Sequence, residues 1–143
     1  MVRTVRRAVG TGRYRVSAEA VAMGEDLVVR VEGGTTPHVG AVAVSMARPS
    51  LADSSKISSS TSLITLPGHK EDGLALQAAG ELTAASGKTA VVVAGIHIDN
   101  ATPEEITMLV NNAKKALAAI VKRVLAARHK APGDTAGGLS HPS

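Results

Sequence analysis

The chain has 143 residues, of which 44% are hydrophobic, and its formal net charge is +4 at pH 7. It contains no Cys, Trp or Phe and a single Tyr, so its core is aliphatic and holds no disulfide, thiolate metal site or cysteine nucleophile. The same composition excludes an aromatic platform on which the bases of single-stranded nucleic acid could stack.

The positive charge is concentrated at the two ends of the chain. Residues 1–15 contain five Arg and no acidic residue, whereas residues 16–113 contain five basic and eleven acidic residues. Basic ends are more typical of solvated flanks than of nucleic-acid-binding arms, and we expect no nucleic-acid partner. No apolar h-region follows the basic start, and the apolar runs are far shorter than the ~20 residues that span a bilayer. We therefore expect a cytoplasmic protein that does not contact a membrane.

The first half of the chain predicts strands. Residues 1–12 are expected to form a flexible basic arm. Arg13–Ala22 and Leu27–Glu32 alternate polar and apolar residues and predict a β-hairpin, and Gly40–Arg48 predicts a third strand. Residues 49–62 contain seven Ser without periodicity and predict a long loop, which precedes a short fourth strand at 63–66.

The second half predicts a helix, a strand and a long helix. Glu71–Ser86 is Ala-rich and ends before Gly87, and Thr89–Ile96 is apolar on both faces, as in a central strand covered on both sides. Thr102-Pro103-Glu104-Glu105 is a helix start with a capping box, and the apolar spacing that follows predicts a helix to about residue 128. Residues 129–143 are expected to form a disordered tail.

This order, ββββαβα, predicts that residues 13–128 form one α+β domain. We expect a mostly antiparallel sheet with both helices packed on one face. Such a sheet leaves at least one edge strand open to pairing, which favours a homodimer over a monomer.

Three of the five His lie in similar loops, each at the end of a predicted strand and beside Gly. His38 follows Gly33-Gly34, His69 follows Gly68, and His97 follows Gly95. Functional sites are often built where loops leave a sheet in this way. The candidate site residues are Gly33, Gly34, Thr35, His38, Gly68, His69, Lys70, Asp72, His97 and Asp99.

Two chemistries suit these loops. The amides of Gly33 and Gly34 could form an anion-binding nest, with Lys70 adding a positive charge. Alternatively, the three His together with Asp72 or Asp99 would be a workable ligand set for zinc or iron, although no two His share the spacing of a helix turn. The residues alone leave both possibilities open.

Taken together, three motifs in order resemble a known family. They are Gly33-Gly34-Thr35-x-Pro37-His38-x-Gly40, Gly68-His69-Lys70-Glu71-Asp72 and Gly95-Ile96-His97-Ile98-Asp99. The pattern is similar to the small prenylated-flavin chaperones, the LpdD-like proteins associated with UbiD-type decarboxylases such as gallate decarboxylase. The resemblance covers roughly residues 13–128.

The resemblance implies a dimer similar to proteasome assembly chaperones and a protein that is not itself an enzyme. It implies binding of reduced prenylated FMN and delivery of that flavin to an apo UbiD-type decarboxylase. The competing hypotheses are a small metal-dependent enzyme built on the three His and a structural accessory subunit of a decarboxylase.

The roles of single residues are our own hypotheses. The flavin phosphate would contact Lys70 and the amides of Gly33-Gly34, and the polar ring edge would meet His38, His97 and Asp99. The prenyl-derived ring would lie on aliphatic side chains, namely Val39, Ile96 and Ile98. Tyr14 is expected in the first strand, away from every motif, so the ring would not be stacked between aromatic side chains.

Overall fold

The computed structural model describes residues 4–66 and 71–130, with side chains to residue 127. The described elements are β1 (Thr4–Val9), β2 (Val16–Met23), β3 (Asp26–Gly34), β4 (Ala41–Pro49), β5 (Ile57–Thr65), α1 (Asp72–Ser86), β6 (Ala90–His97) and α2 (Pro103–Lys130). A short 3₁₀ turn, Gly12–Tyr14, connects β1 to β2.

The strands form one sheet in the order β1-β2-β3-β6-β4-β5. Every neighbouring pair is antiparallel except β3 and β6, which run parallel. The prediction of an α+β fold with a mostly antiparallel sheet is confirmed.

Both helices lie on the same face of the sheet, as predicted. α1 packs on β4, β5 and β6, α2 packs on β1, β2 and β3, and the two helices contact each other. The alternate strand residues that face the helices are small or β-branched, for example Val29, Ala43 and Val92, all fully buried. Leu82 of α1 and Ile120 of α2 are the largest fully buried side chains in this aliphatic core.

The opposite face of the sheet, which we term the back face, is not covered by either helix. Its apolar side chains include Val21, Met23, Val28, Val42, Val44, Met46, Ile64, Val91 and Val93. Met46 and Ile64 are 60% and 67% exposed. In the single chain β6 is therefore covered on one side only, which corrects the prediction of a strand covered on both sides.

Two segments predicted as irregular are strands. Residues 4–9, predicted as part of a flexible arm, form edge strand β1, which pairs with β2 and places Val5 in the core. The Ser-rich segment 49–62 was predicted to be a loop throughout, and this was wrong for its second half. Residues 57–62 form the first part of β5, the strand at the opposite edge of the sheet. Residues 129 and 130 continue α2, and the rest of the predicted tail lies outside the described residues.

The start of α2 has the predicted capping box and an additional contact. Thr102 Oγ1 accepts the amide hydrogen of Glu105, and Glu105 Oε1 accepts that of Thr102. Tyr14 lies in the 3₁₀ turn rather than in a strand, and its hydroxyl donates to Glu105 Oε2 over 3.1 Å, with Arg13 3.2 Å from the same oxygen. The hydrogen bond from the Thr102 amide is the main cause that lowers the pKa of Glu105, and the bond to Glu105 raises the pKa of Tyr14.

Within residues 4–66 and 71–130, no helix combines the length and apolar character needed to cross a membrane.

Candidate functional site

The three predicted loops start from one end of the sheet. Because β3 and β6 are parallel neighbours, their carboxyl ends lie side by side, and β4 begins at the same end. Gly34 is paired with His97, and the Gly40 amide donates to the Ala94 carbonyl over 2.9 Å. The sheet topology thus brings together residues 33–40 and 94–99.

Two glycines allow these segments to approach closely. Gly34 has a φ of 91°, and a Cβ on it would overlap the carbonyl oxygen of His97. A Cβ on Gly95 would overlap the backbone carbonyl of His38. The His38 segment therefore crosses β6 directly over Gly95, which places the imidazoles of His38 and His97 next to each other.

Five polar residues form what we term the histidine cluster: Thr35, Thr36, His38, His97 and Asp99. The ring centroids of His38 and His97 are 5.4 Å apart, and His97 Nε2 lies 3.1 Å from Asp99 Oδ1. Thr36 Oγ1 donates to the same carboxylate, while Thr35 Oγ1 accepts the Asp99 amide hydrogen. His38 Nδ1 lies 2.9 Å from the carbonyl oxygen of Thr36. A carbonyl oxygen can only accept a hydrogen bond, so we assign the ring hydrogen of His38 to Nδ1. The cluster is exposed and offers a surface of donors and acceptors.

The loop after β3 does not present the predicted nest of free amides. The Gly34 amide donates to the Arg15 carbonyl, and the amides of Thr35 and Thr36 both donate to the His97 carbonyl. Gly33 is paired in the sheet between Val16 and Ile96. The predicted role of Gly33-Gly34 as an anion nest was wrong, because these glycines instead permit close packing of backbone.

The other predicted residues are placed differently. Gly68, His69 and Lys70 lie outside the described residues. Asp72 is exposed, and its carboxylate accepts the amide hydrogen of the next residue, Gly73. Across residues 4–66 and 71–130, no group of three or more His, Asp or Glu is arranged to hold a metal ion.

A cavity of about 580 Å³, which we term the helical cavity, lies between α1, α2 and the end of β6. Its aliphatic wall consists of Leu74, Ile96, Ile98, Ile106, Leu109 and Val110. Its polar and charged residues are Glu71, Gln77, His97, Asn100 and Lys114. His97 belongs both to this cavity and to the histidine cluster, so the two adjoin at the end of β6.

Glu71 is the buried acidic residue of the helical cavity. Its side chain is 6% exposed, and Oε1 accepts the amide hydrogen of Ile96 over 3.3 Å. Oε2 packs against Gly40 and has no hydrogen-bond partner in the part of the chain that the structure describes. A buried carboxylate oxygen without a donor is energetically unfavourable, and such groups are concentrated at functional sites.

Sequence reasoning missed the places of Glu71 and Lys114. Neither residue is among the candidate site residues of the sequence. For Glu71 the available signal was its position directly after the Gly68-His69-Lys70 motif. For Lys114 it was the spacing along the long helix. Lys114 follows Ile106 and Val110 at intervals of four residues, which places it along one side of α2 with them.

Comparison with known proteins gives a family and a fold. A family model described as a prenylated flavin chaperone LpdD-like domain matches residues 10–125. Among solved structures, the chain is similar to a protein of a novel chaperone complex for yeast 20S proteasome assembly. That match has 14% identity and a TM-score of 0.52, and it covers 85% of this chain and 96% of the other. No curated protein sequence matches.

Proposed function

Because the chain belongs to the LpdD-like prenylated flavin chaperone family, we propose that it binds reduced prenylated FMN and delivers it to an apo UbiD-type decarboxylase without catalysing a reaction itself. The observation that carries this proposal is the helical cavity, which combines an aliphatic wall with polar groups at the end of β6. Its volume of about 580 Å³ falls within the usual range for small-molecule sites, roughly 300–1,000 Å³.

In this proposal the aliphatic wall holds the prenyl-derived ring and the flat faces of the flavin. Ile96 and Ile98 line the cavity and are buried, whereas Val39 is 48% exposed and does not line it. The carbonyl and N–H groups of the ring edge would meet His97, with His38 and Asp99 next to it in the histidine cluster. Asp99 orients the His97 imidazole through the contact at Nε2.

The mode of binding suits a carrier that must release its cargo. Tyr14, the one aromatic residue of the chain, is bonded to Glu105 and does not line the helical cavity. The flavin is therefore held by aliphatic and polar contacts, without the additional ~0.5–1.5 kcal/mol that each aromatic pair can contribute. Preference for the reduced form would come from contacts that differ between the two redox states.

We further propose that two copies of the chain associate through the back face. A second copy covers the exposed Val44, Met46 and Ile64, so that β6 is enclosed on both sides. Beside this apolar area Arg30 is paired within the chain, because it lies 3.7 Å from Glu19 and 3.8 Å from Glu32. The charge of Arg30 therefore does not oppose the meeting of two identical faces.

An anaerobic titration tests the flavin proposal. We expect reduced prenylated FMN to bind more tightly than oxidised prenylated FMN or reduced FMN. Ile106→Ser, at the cavity wall, should weaken binding about fivefold, since part of an apolar contact worth ~1 kcal/mol or more is lost. Met108→Ser is the matched control, because Met108 is equally exposed on the same helix but does not line the cavity.

Two results would contradict the proposal. Equal binding of all three flavins would leave only a general flavin binder, and no binding in any state would favour a purely structural role. Delivery is tested by mixing the loaded chain with an apo UbiD-type decarboxylase and measuring the appearance of decarboxylase activity. Activity should develop faster than with the same concentration of free flavin.

A further inference from the structure

The proposed cargo carries a phosphate. The described backbone amides near the histidine cluster that could bind it already donate hydrogen bonds within the protein. The amides of Gly34, Thr35 and Thr36 donate to backbone carbonyls. At the start of α1, the Gly73 amide donates to Asp72. Among the residues that the structure describes, a phosphate is therefore better matched by a positive group elsewhere on the helical cavity.

Among the described residues that line this cavity, Lys114 is the one lysine, and no arginine lines it. It is exposed, and no acidic side chain forms an ion pair with it in the described ranges 4–66 and 71–130. A lysine ammonium is a compact charge that binds phosphate well.

The acidic and the basic residue of the cavity differ in burial. Glu71 is buried beside Gly40 and Ile96, whereas Lys114 is exposed on α2. Lys114 lies about 12 Å along the helix from Ile106, at 1.5 Å per residue. A ligand with an apolar body and one anionic group is therefore favoured with the anion at Lys114 and away from Glu71.

We propose that Lys114 binds the phosphate group of the flavin nucleotide and so makes the helical cavity selective for phosphorylated over dephosphorylated flavin. This inference rests on the proposed function, since it takes the flavin as the occupant of the cavity. It assigns the phosphate to α2 rather than to the loop after β3.

The test compares reduced prenylated FMN with the same flavin after removal of its phosphate, under anaerobic conditions. For Lys114→Ala we expect about tenfold weaker binding of the phosphorylated flavin, as for loss of a charged hydrogen bond, and unchanged binding of the dephosphorylated one. Lys115→Ala is the matched control, because Lys115 is an exposed neighbour that does not line the cavity. It should leave both affinities unchanged, and Lys114→Arg should retain selectivity for the phosphorylated flavin.

The outcomes separate this inference from the proposed function. Suppose that the wild-type chain binds reduced prenylated FMN. If Lys114→Ala then binds both flavins as tightly as the wild type, or loses the same affinity for both, the role of Lys114 is overturned and the flavin proposal stands. If the wild-type chain binds neither flavin, both are overturned. Increasing salt should weaken binding of the phosphorylated flavin to the wild type more than to Lys114→Ala.

Discussion

At the level of single residues, the carboxyl group of Glu71 has one oxygen with a hydrogen-bond donor and one without a partner among the described residues. One oxygen accepts the Ile96 amide hydrogen, and the other is buried against Gly40 with no partner in the described chain. Burial of a charged group is unfavourable unless its hydrogen bonds are satisfied.

We expect Glu71→Gln to raise the free energy of unfolding at pH 7 by about 1 kcal/mol, because it replaces a carboxyl oxygen that lacks a donor with an amide group and keeps an acceptor for Ile96. Urea unfolding measures the change. Glu81→Gln is the control on the same helix, since Glu81 is exposed and pairs only with Gln77 among the described residues. It should change stability by less than about 0.5 kcal/mol. A Glu71→Gln variant less stable than the wild type would contradict this expectation.

At the level of secondary-structure elements, the sequence was most informative where local chemistry is strong. The capping box of Thr102 and Glu105 and the Pro at the first helical position predicted the start of α2, and Gly87 predicted the end of α1, where it adopts a φ of 72°. Local chemistry of this kind does not depend on the rest of the fold.

Edge strands were harder to predict because little of each one is buried. In β1 only Val5 is buried, and because Arg residues lie next to it the sequence shows no alternation of polar and apolar residues. In β5 the Ser side chains fit a strand only because nine residues pair with β4, a tertiary contact that composition does not indicate. The burial of Glu71 could not be predicted either, because it depends on a tertiary contact between its carboxyl group and Gly40.

The junction between the 3₁₀ turn and α2 should make stability depend on pH. The pKa of Glu105 is lowered from its ordinary value of 4.5, chiefly by the Thr102 amide and also by Tyr14 and Arg13. A lowered pKa stabilises the fold above pH 4.5, and this contribution is lost as the pH falls through the folded-state pKa. We therefore expect the melting temperatures of wild type and Glu105→Gln to differ at pH 7 and to converge below about pH 4.5.

Thermal unfolding between pH 7 and pH 3 measures this convergence. Glu104→Gln is the control, because Glu104 lies in the same first turn and is fully exposed to solvent on the helix surface. A difference between wild type and Glu105→Gln that stays constant with pH would mean that the carboxylate contributes through packing and not through its charge.

At the level of the whole molecule, the helices cover one face of the sheet and leave the back face uncovered, and we have proposed that a second copy binds there. We expect the wild-type chain to sediment at twice the mass of one chain, and Val44→Glu to sediment as a monomer, since a charge would be buried in the interface without a partner. Leu76→Glu is the control, because Leu76 is exposed on α1, on the other side of the molecule. A monomeric wild type, or a dimer retained in Val44→Glu, would contradict association through this face.

The position of β6 in the sheet also has a consequence for biosynthesis. Residues 4–66 contain five strands, yet they form two separate antiparallel units, β1–β2–β3 and β4–β5, which do not pair with each other. The two units become one sheet only when β6 enters between them, after residues 90–97 have left the ribosome. The same event brings His97 beside His38 and closes one wall of the helical cavity. Because α2 supplies the other wall of the cavity, the proposed binding site is complete only once the last strand and the last helix have both joined the fold.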